Sequence, residues 1–281
     1  MKIGLYVVLT DTSPPVTMLA RALEERGFES LWVPEHSHIP TVGNTPYPGR
    51  GPVTRDFART LDPFVALATA ASVTRRLKLG TGICLLIQRD TIHTAKAVAT
   101  LDHLSGGRVL FGVGGGWNRP EMENHGTVYT SRFAKLEEQV HALKAIWTQD
   151  EAEFHGEHVR FDPLWCWPKP VTRPHPPVYL GGETDHTLRR VVRCAEGWLP
   201  RMRNLEHVLA QIGKLRAFAR EAGRNEDSIA ISAFALPAKA EALAKFRDVG
   251  VERAILALPP GDESETMRRL DRYAELMGEG S

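Results

Sequence analysis

Cysteine is scarce: Cys84, Cys166 and Cys194 are the three in 281 residues, far apart and without a CxxC pair. Neither a disulfide framework nor a thiolate metal site is signalled, and a reducing, cytoplasmic interior is expected. A charge excess of one sign is also missing. With 35 Lys and Arg against 34 Asp and Glu, no overall field draws the chain to nucleic acid or to an anionic membrane, which leaves a small molecule as the expected partner. No apolar run approaches the roughly 20 residues of a membrane helix. The opening MKIGLYVVLTD has one basic residue and a short apolar stretch, so it reads as a first strand and not as a signal segment.

What the chain does have is alternation. Short apolar runs alternate with longer segments of helical period, the pattern of repeated βα units and a parallel sheet. The strands read as Lys2 to Val7, Ser30 to Glu35, Lys78 to Ile83, Arg108 to Gly114, Pro177 to Gly182, Gly197 to Pro200, Ile229 to Leu236 and Arg253 to Pro259. Helices read as Val16 to Arg26, Pro63 to Val73, Thr91 to Leu104, Arg132 to Trp147, Thr184 to Cys194, Leu205 to Ala222, Ala238 to Val249 and Glu265 to Met277. Asp62 stands at an N-cap with Pro63 at the first helical position, and Gly27 suits a left-handed helix end.

This α/β pattern predicts one (β/α)8 TIM barrel over residues 1 to 281, with an open doubly wound sheet as the alternative. Two insertions break the rhythm. One, His36 to Thr60, follows strand two and is rich in proline, including Pro48 and Pro52. The other, Thr148 to Pro176, follows helix four and is expected to hold a small hairpin and an extended connector.

Barrel active sites are assembled at the carboxyl ends of the strands. Past strand two stand Glu35, His36 and His38; an imidazole can move a proton near neutral pH, and a carboxylate beside it can orient it. Past strand three, Gly80 and Gly82 flank Thr81, which suggests a bulge, the close approach of a planar ligand, or a barrel-corner bend. Past strand four come Gly114, Gly115, Gly116, Trp117 and Asn118, where the backbone can approach a ligand. Past strand five, Gly181, Gly182, Glu183 and Thr184 open a helix, either as an anion site or through simple capping by Thr184.

Taken in order, these strand ends resemble the luciferase-like flavin and deazaflavin enzymes. The resemblance covers almost the whole chain. It is carried by GFESLWVPEH (27 to 36), RLKLGTGI (76 to 83), AKAVATLDHLSGGRVLFGVGGGWN (95 to 118) and PPVYLGG with AEGWLP (176 to 200). FARTLDPFVALATAASVT (57 to 74) is similar to the branch that uses coenzyme F420, a deazaflavin.

That resemblance implies a non-proline cis peptide between Gly82 and Ile83 supporting the ring. It also implies Glu35 and His36 as the acidic residue and histidine of the site, the turn Gly114 to Gly116 with Asn118 beside the ring, and Gly181 to Glu183 around the cofactor phosphate. Some relatives carry a carboxylate after the strand-four glycines where this chain has Trp117; a sugar phosphate is therefore disfavoured, and Trp117 is expected to stack on an apolar or planar substrate.

The implied activity is hydride transfer between F420 and a small organic substrate, with His36 as proton donor or acceptor and Glu35 tuning it. An FMN-dependent monooxygenase is the alternative. A metal-dependent hydrolase using His36 and His38 is a remote one. Arg201 and Arg203 are outlying candidates for an anionic group. Cys84 reads as a small buried hydrophobe, and Trp147, Trp165 and Trp167 as packing groups. The resemblance further implies a homodimer through helices two and three.

Overall fold

The structure, a computed structural model, describes residues 1–47, 53–201 and 205–278. Pro48, Pro52 and Arg203 lie outside the described residues. The chain opens with β1 (Lys2–Val7), α1 (Val16–Glu25), β2 (Ser30–Val33), α2 (Pro63–Val73), β3 (Lys78–Thr81) and α3 (Thr91–Ser105). It continues through β4 (Val109–Val113), α4 (Arg119–Asn124), α5 (Arg132–Thr148), β5 (Ala152–His155), β6 (Arg160–Leu164), β7 (Val178–Gly181) and α6 (Asp185–Cys194). The last elements are β8 (Gly197–Leu199), α7 (Leu205–Glu221), β9 (Ala230–Leu236), α8 (Ala240–Asp248), β10 (Arg253–Leu258) and α9 (Glu263–Gly278).

Eight parallel strands close into the expected barrel in the order β1-β10-β9-β8-β7-β4-β3-β2. The seam runs in register from Lys2 opposite Arg253 to Val7 opposite Leu258. An open sheet is thereby excluded. β5 and β6 pair antiparallel as the hairpin of the second insertion.

Several strands stop short of the expected ends. β2 ends at Val33 because Pro34 has no N–H to give the ladder, and β3 ends at Thr81, before a cis bond between Gly82 and Ile83. Asp62 caps α2 as expected, accepting from the Phe64 and Val65 amides at 2.9 and 3.1 Å. Helix α4 was not anticipated: six residues are too few for an apolar period to emerge.

Two apolar layers hold the barrel. The larger lies between strands and helices, with Leu5, Leu31, Leu79, Val113 and Leu256 facing the helical shell. Inside the barrel, Trp32, Leu110, Tyr179, Leu199, Phe234 and Ile255 form the plug. A Cβ on Gly80 would lie 2.3 Å from the Trp32 ring, so this glycine makes room for the plug and does not face a ligand. Trp147 is buried as expected, its indole N–H donating to the Ala95 carbonyl. Trp165 and Trp167 are instead exposed, because the connector that carries them runs over the surface.

At the amino end of the strands Arg253 is buried and paired with Glu29, Nε and Nη2 each lying 2.7 Å from a different carboxylate oxygen. Nη1 donates to the Ser232 hydroxyl at 2.9 Å. The barrel floor is thus tied by charge at the end opposite the candidate site.

Candidate active site

At the other end, the carboxyl ends of β2, β3, β4, β7, β8 and β9 surround a cavity of about 420 Å³. His36, Gly82, Ile83, Gly114, Gly115, Gly116, Trp117, Gly181, Gly182, Glu183 and Thr184 all line it. Residues that are scattered over the sequence therefore converge on one space.

Glu35 and His36 both border this cavity. Their side chains are nevertheless held by different partners. The Glu35 carboxylate accepts from the Leu85 amide at 2.7 Å and from Arg89 Nε at 2.6 Å, which pins the loop behind β3. The expectation that Glu35 orients the imidazole is corrected here.

That part falls to Glu121 of α4, 85 positions along the chain, whose oxygens lie 2.9 and 3.1 Å from His36 Nδ1. Both side chains are almost fully shielded, at 7% and 1% exposure. The Thr60 hydroxyl holds the His36 carbonyl at 2.9 Å. With Nδ1 occupied, Nε2 is the nitrogen without a partner among the described residues. The sequence signal was there in the run Asn118-Arg119-Pro120-Glu121, where a capping residue type and a proline precede an acidic first turn.

The Gly82–Ile83 bond is cis, as the resemblance implied. A Cβ on Gly114 would stand 2.1 Å from Ile83 Cδ1, so the bare glycine is what lets the isoleucine form part of the wall. Cys84, next in sequence, is fully buried, and burial pushes its thiol up, as suits an inert core group.

Asn118 departs from expectation. It is buried and absent from the cavity wall, its Oδ1 accepting from the Thr45 amide at 3.1 Å and its Nδ2 donating to Asn44 Oδ1 at 2.7 Å. Its amide ties down the loop that follows β2.

Gly182 has φ of 116°, open to glycine without strain. Thr184 caps α6 by accepting from the Thr187 amide at 3.2 Å. The capping reading is therefore met, and the positive end of the helix still faces the cavity. Arg132, at the start of α5, lines the same cavity and was not foreseen. Its Nε is buried without an acceptor, while its guanidinium lies 3.8 and 4.2 Å from the Tyr129 and Phe133 ring centres. Its Nη1 donates to the neutral Tyr129 carbonyl at 2.7 Å and among the described residues no carboxylate pairs with it, so the charge on this wall suits an anion.

Over the mouth, His36 packs edge-on against Phe57 and Trp117, at 5.2 and 5.8 Å, and Tyr47 packs on both of those rings at 5.2 Å. Arg201, also on the wall, donates to the Tyr47 hydroxyl at 2.7 Å, and among the described residues no carboxylate pairs with its guanidinium. This bond spans the mouth from the β2 loop to β8. Tyr6 stands beside them; burial pushes its phenol up, Tyr47 adds to that, and Arg201 opposes it.

His38 turns away from His36 and bonds to Ser37 and Asn124, each at 2.9 Å. Among the described residues, the one cluster with metal-ligand spacing is Glu137, His141 and Cys194, outside this cavity, and Glu137 there is already held by Arg190 and Arg193. The His36 and His38 pair thus finds no third ligand.

No helix among the described residues is long and apolar enough to cross a membrane. An uncharacterized protein of Mycobacterium tuberculosis is 36% identical to this chain over 280 residues, 98% of each. The FMNH2-dependent dimethylsulfone monooxygenase of Pseudomonas putida is 34% identical over 145 residues, 50% of this chain and 40% of that one. In fold, the chain is similar to the coenzyme F420 dependent tetrahydromethanopterin reductase of Methanopyrus kandleri, with a TM-score of 0.74 at 16% identity over 99% of this chain and 98% of the other. The sequence profile of the luciferase-like monooxygenases matches residues 10–278, and with the closed barrel and its single convergent mouth this chain belongs to that family of oxidoreductases and monooxygenases.

Proposed function

We propose that this chain is a coenzyme F420-dependent oxidoreductase acting on a small organic substrate, with His36 giving or taking the proton. The observation that carries the proposal is one cavity that joins a flat wall at Ile83, an anion-seeking end at Arg132 and α6, and a fixed imidazole. The residues fit a phosphate-bearing tricyclic ring, because Gly114 lets Ile83 pack into the wall and the Arg132 guanidinium on the same cavity has no carboxylate partner among the described residues.

A deazaflavin bound there supplies hydride transfer and reacts poorly with oxygen. Ile83 and Gly114 would set its plane, and Arg132 with the first turn of α6 would hold its phosphate. His36 Nε2 holds the proton that accompanies the hydride, while Glu121 at Nδ1 fixes the orientation of the ring. Tyr47, Phe57 and Trp117 exclude water and offer an aromatic face to an apolar or planar substrate.

The partial match to an FMNH2-dependent monooxygenase supports a second reading, an FMN-dependent monooxygenase. Fluorescence titration of the purified protein with each cofactor separates them. F420 is expected to bind in the micromolar range and FMN at least about tenfold more weakly, a gap of roughly 1.4 kcal/mol. The reverse order, together with oxygen uptake on adding reduced FMN, would replace the first reading by the second.

The same titration tests the wall. Gly114→Ala is expected to drive Ile83 into the ring plane and weaken cofactor binding by about tenfold or more, since overpacking costs roughly 1–3 kcal/mol. Unchanged affinity would place the ring elsewhere.

A further inference from the structure

The central cavity carries a polar feature that neither the imidazole nor the anion end uses. Tyr6 stands at an inward position of β1, packed on the barrel plug, with its ring 4.7 Å from that of Phe234. Beside it β9 is irregular. Its register with β10 shifts between Ala233 and Leu236, and Ala235 has φ of 58°, a conformation that few side chains adopt. Phe234 and Ala235 both line the cavity, and a Cβ on Gly82 would lie 2.6 Å from the Phe234 ring. Tyr6 is therefore one ring removed from the cis bond beside the flat wall.

The Tyr6 hydroxyl has no hydrogen-bond partner among the described residues, yet the fold does not seal it off. The residue is only partly buried and lines the cavity, and the enclosed polar atoms left without a partner are Arg132 Nε, Gln139 Oε1 and Gln211 Oε1. Burial pushes the phenol up, so Tyr6 keeps its proton at neutral pH. Tyr47, also on the wall, brings a second O–H. Its oxygen already accepts from Arg201 Nη2 at 2.7 Å, so its own hydrogen is what it has left to give.

The wall thus carries two phenol O–H donors with no acceptor among the described residues. A hydroxyl taken from water without a partner costs free energy, so the pair calls for an acceptor on the bound molecule. An anion is disfavoured there, because Glu183 already brings a carboxylate to the same wall, one oxygen of which holds the Arg201 amide at 2.9 Å. An uncharged oxygen fits.

We propose that Tyr6 and Tyr47 are specificity-determining residues that hold a carbonyl oxygen of the substrate, whose apolar or planar body lies against Phe57 and Trp117. The inference rests on the central cavity being the redox site and deepens that reading by naming the substrate class, carbonyl compounds. No bond is made or broken at the phenols, and the proton stays with His36.

Acetophenone and ethylbenzene, which share a skeleton and differ in the carbonyl, are the probes. They are added to the intact protein saturated with whichever oxidised cofactor it binds more tightly. By isothermal titration calorimetry, Tyr6→Phe is expected to weaken acetophenone by about threefold to tenfold, the range of one net hydrogen bond, and to leave ethylbenzene unchanged. The carbonyl stretch of bound acetophenone, picked out by isotopic labelling of the carbonyl carbon, is expected at lower frequency than in an apolar solvent and to move back up in Tyr6→Phe. A packing role would not move that band. Should Tyr6→Phe fail to fold, Tyr47→Phe, on the loop after β2, is expected to weaken acetophenone selectively by a similar factor. Equal losses for the two probes, an unmoved carbonyl band, tighter binding of benzoate than of acetophenone, or no heat with acetophenone at millimolar concentration would overturn the proposal. A reversed cofactor order leaves these readouts intact, so the two readings fail separately.

Discussion

His36→Asn is expected to lower turnover by about 10²–10⁴, the range that a positioned proton-transfer group supplies, with cofactor affinity and Tm little changed. Asparagine places a polar atom close to where Nδ1 stood, so Glu121 keeps a partner, but nothing remains at the position of Nε2. Glu121→Gln is expected to cost less, about tenfold, because glutamine still accepts from Nδ1–H but holds the ring through a weaker, uncharged bond. If the two residues act as one unit, the double variant costs little more than His36→Asn alone, since effects within a unit do not add. Steady-state rates on any accepted substrate check this. A His36→Asn enzyme within about threefold of native activity would remove the imidazole from the proton transfer.

Arg253→Met is expected to destabilise the fold by about 3–5 kcal/mol, the usual cost of stripping one partner from a buried pair, and to lower Tm by about 10 °C. Burial alone would push the pKa of Glu29 up, but the hydrogen bonds and charge of Arg253 outweigh it and hold the carboxyl below its ordinary value. The folded pKa is depressed, so the pair stabilises fully above the ordinary glutamate pKa and fades as pH falls through the folded value. The gap between native protein and variant should accordingly narrow in acid. Urea unfolding followed from neutral to acidic pH measures it. Adding Glu29→Gln to Arg253→Met should recover much of the loss, because the uncompensated charge is then gone. A gap that stays constant with pH would show that packing, and not the ion pair, carries the effect.

How far the site was legible depends on how each residue acts. Ile83, Gly114 and Gly182 work through backbone shape next to their own strand, and a glycine at a strand end announces that locally. His36 was visible for the same reason, as a proton-carrying type just past β2. Glu121 and Arg132 act through space, from helices whose starts the apolar pattern hardly marks, so nothing near His36 in the chain points to them. Glu35 misled because neighbours in sequence were taken as hydrogen-bond partners, whereas its carboxylate is held by Leu85 and Arg89 on the loop behind β3. Asn118 misled in a similar way: its position was right and its side chain was already engaged by the loop from β2.

The alternation of strand-length and helix-length apolar runs was enough by itself to determine a parallel α/β sheet of eight strands, because each period buries only one kind of face, while the pairing of the first strand with the last, which closes the barrel, was decided by the structure. The residue pattern also determined which end carries the chemistry, through the glycines and His36 past the strands. The tertiary structure alone decided which carboxylate holds the imidazole and which cation suits an anion. Those are contacts between segments tens of residues apart, set by how helices pack around the barrel, and no local pattern encodes which side chains meet there.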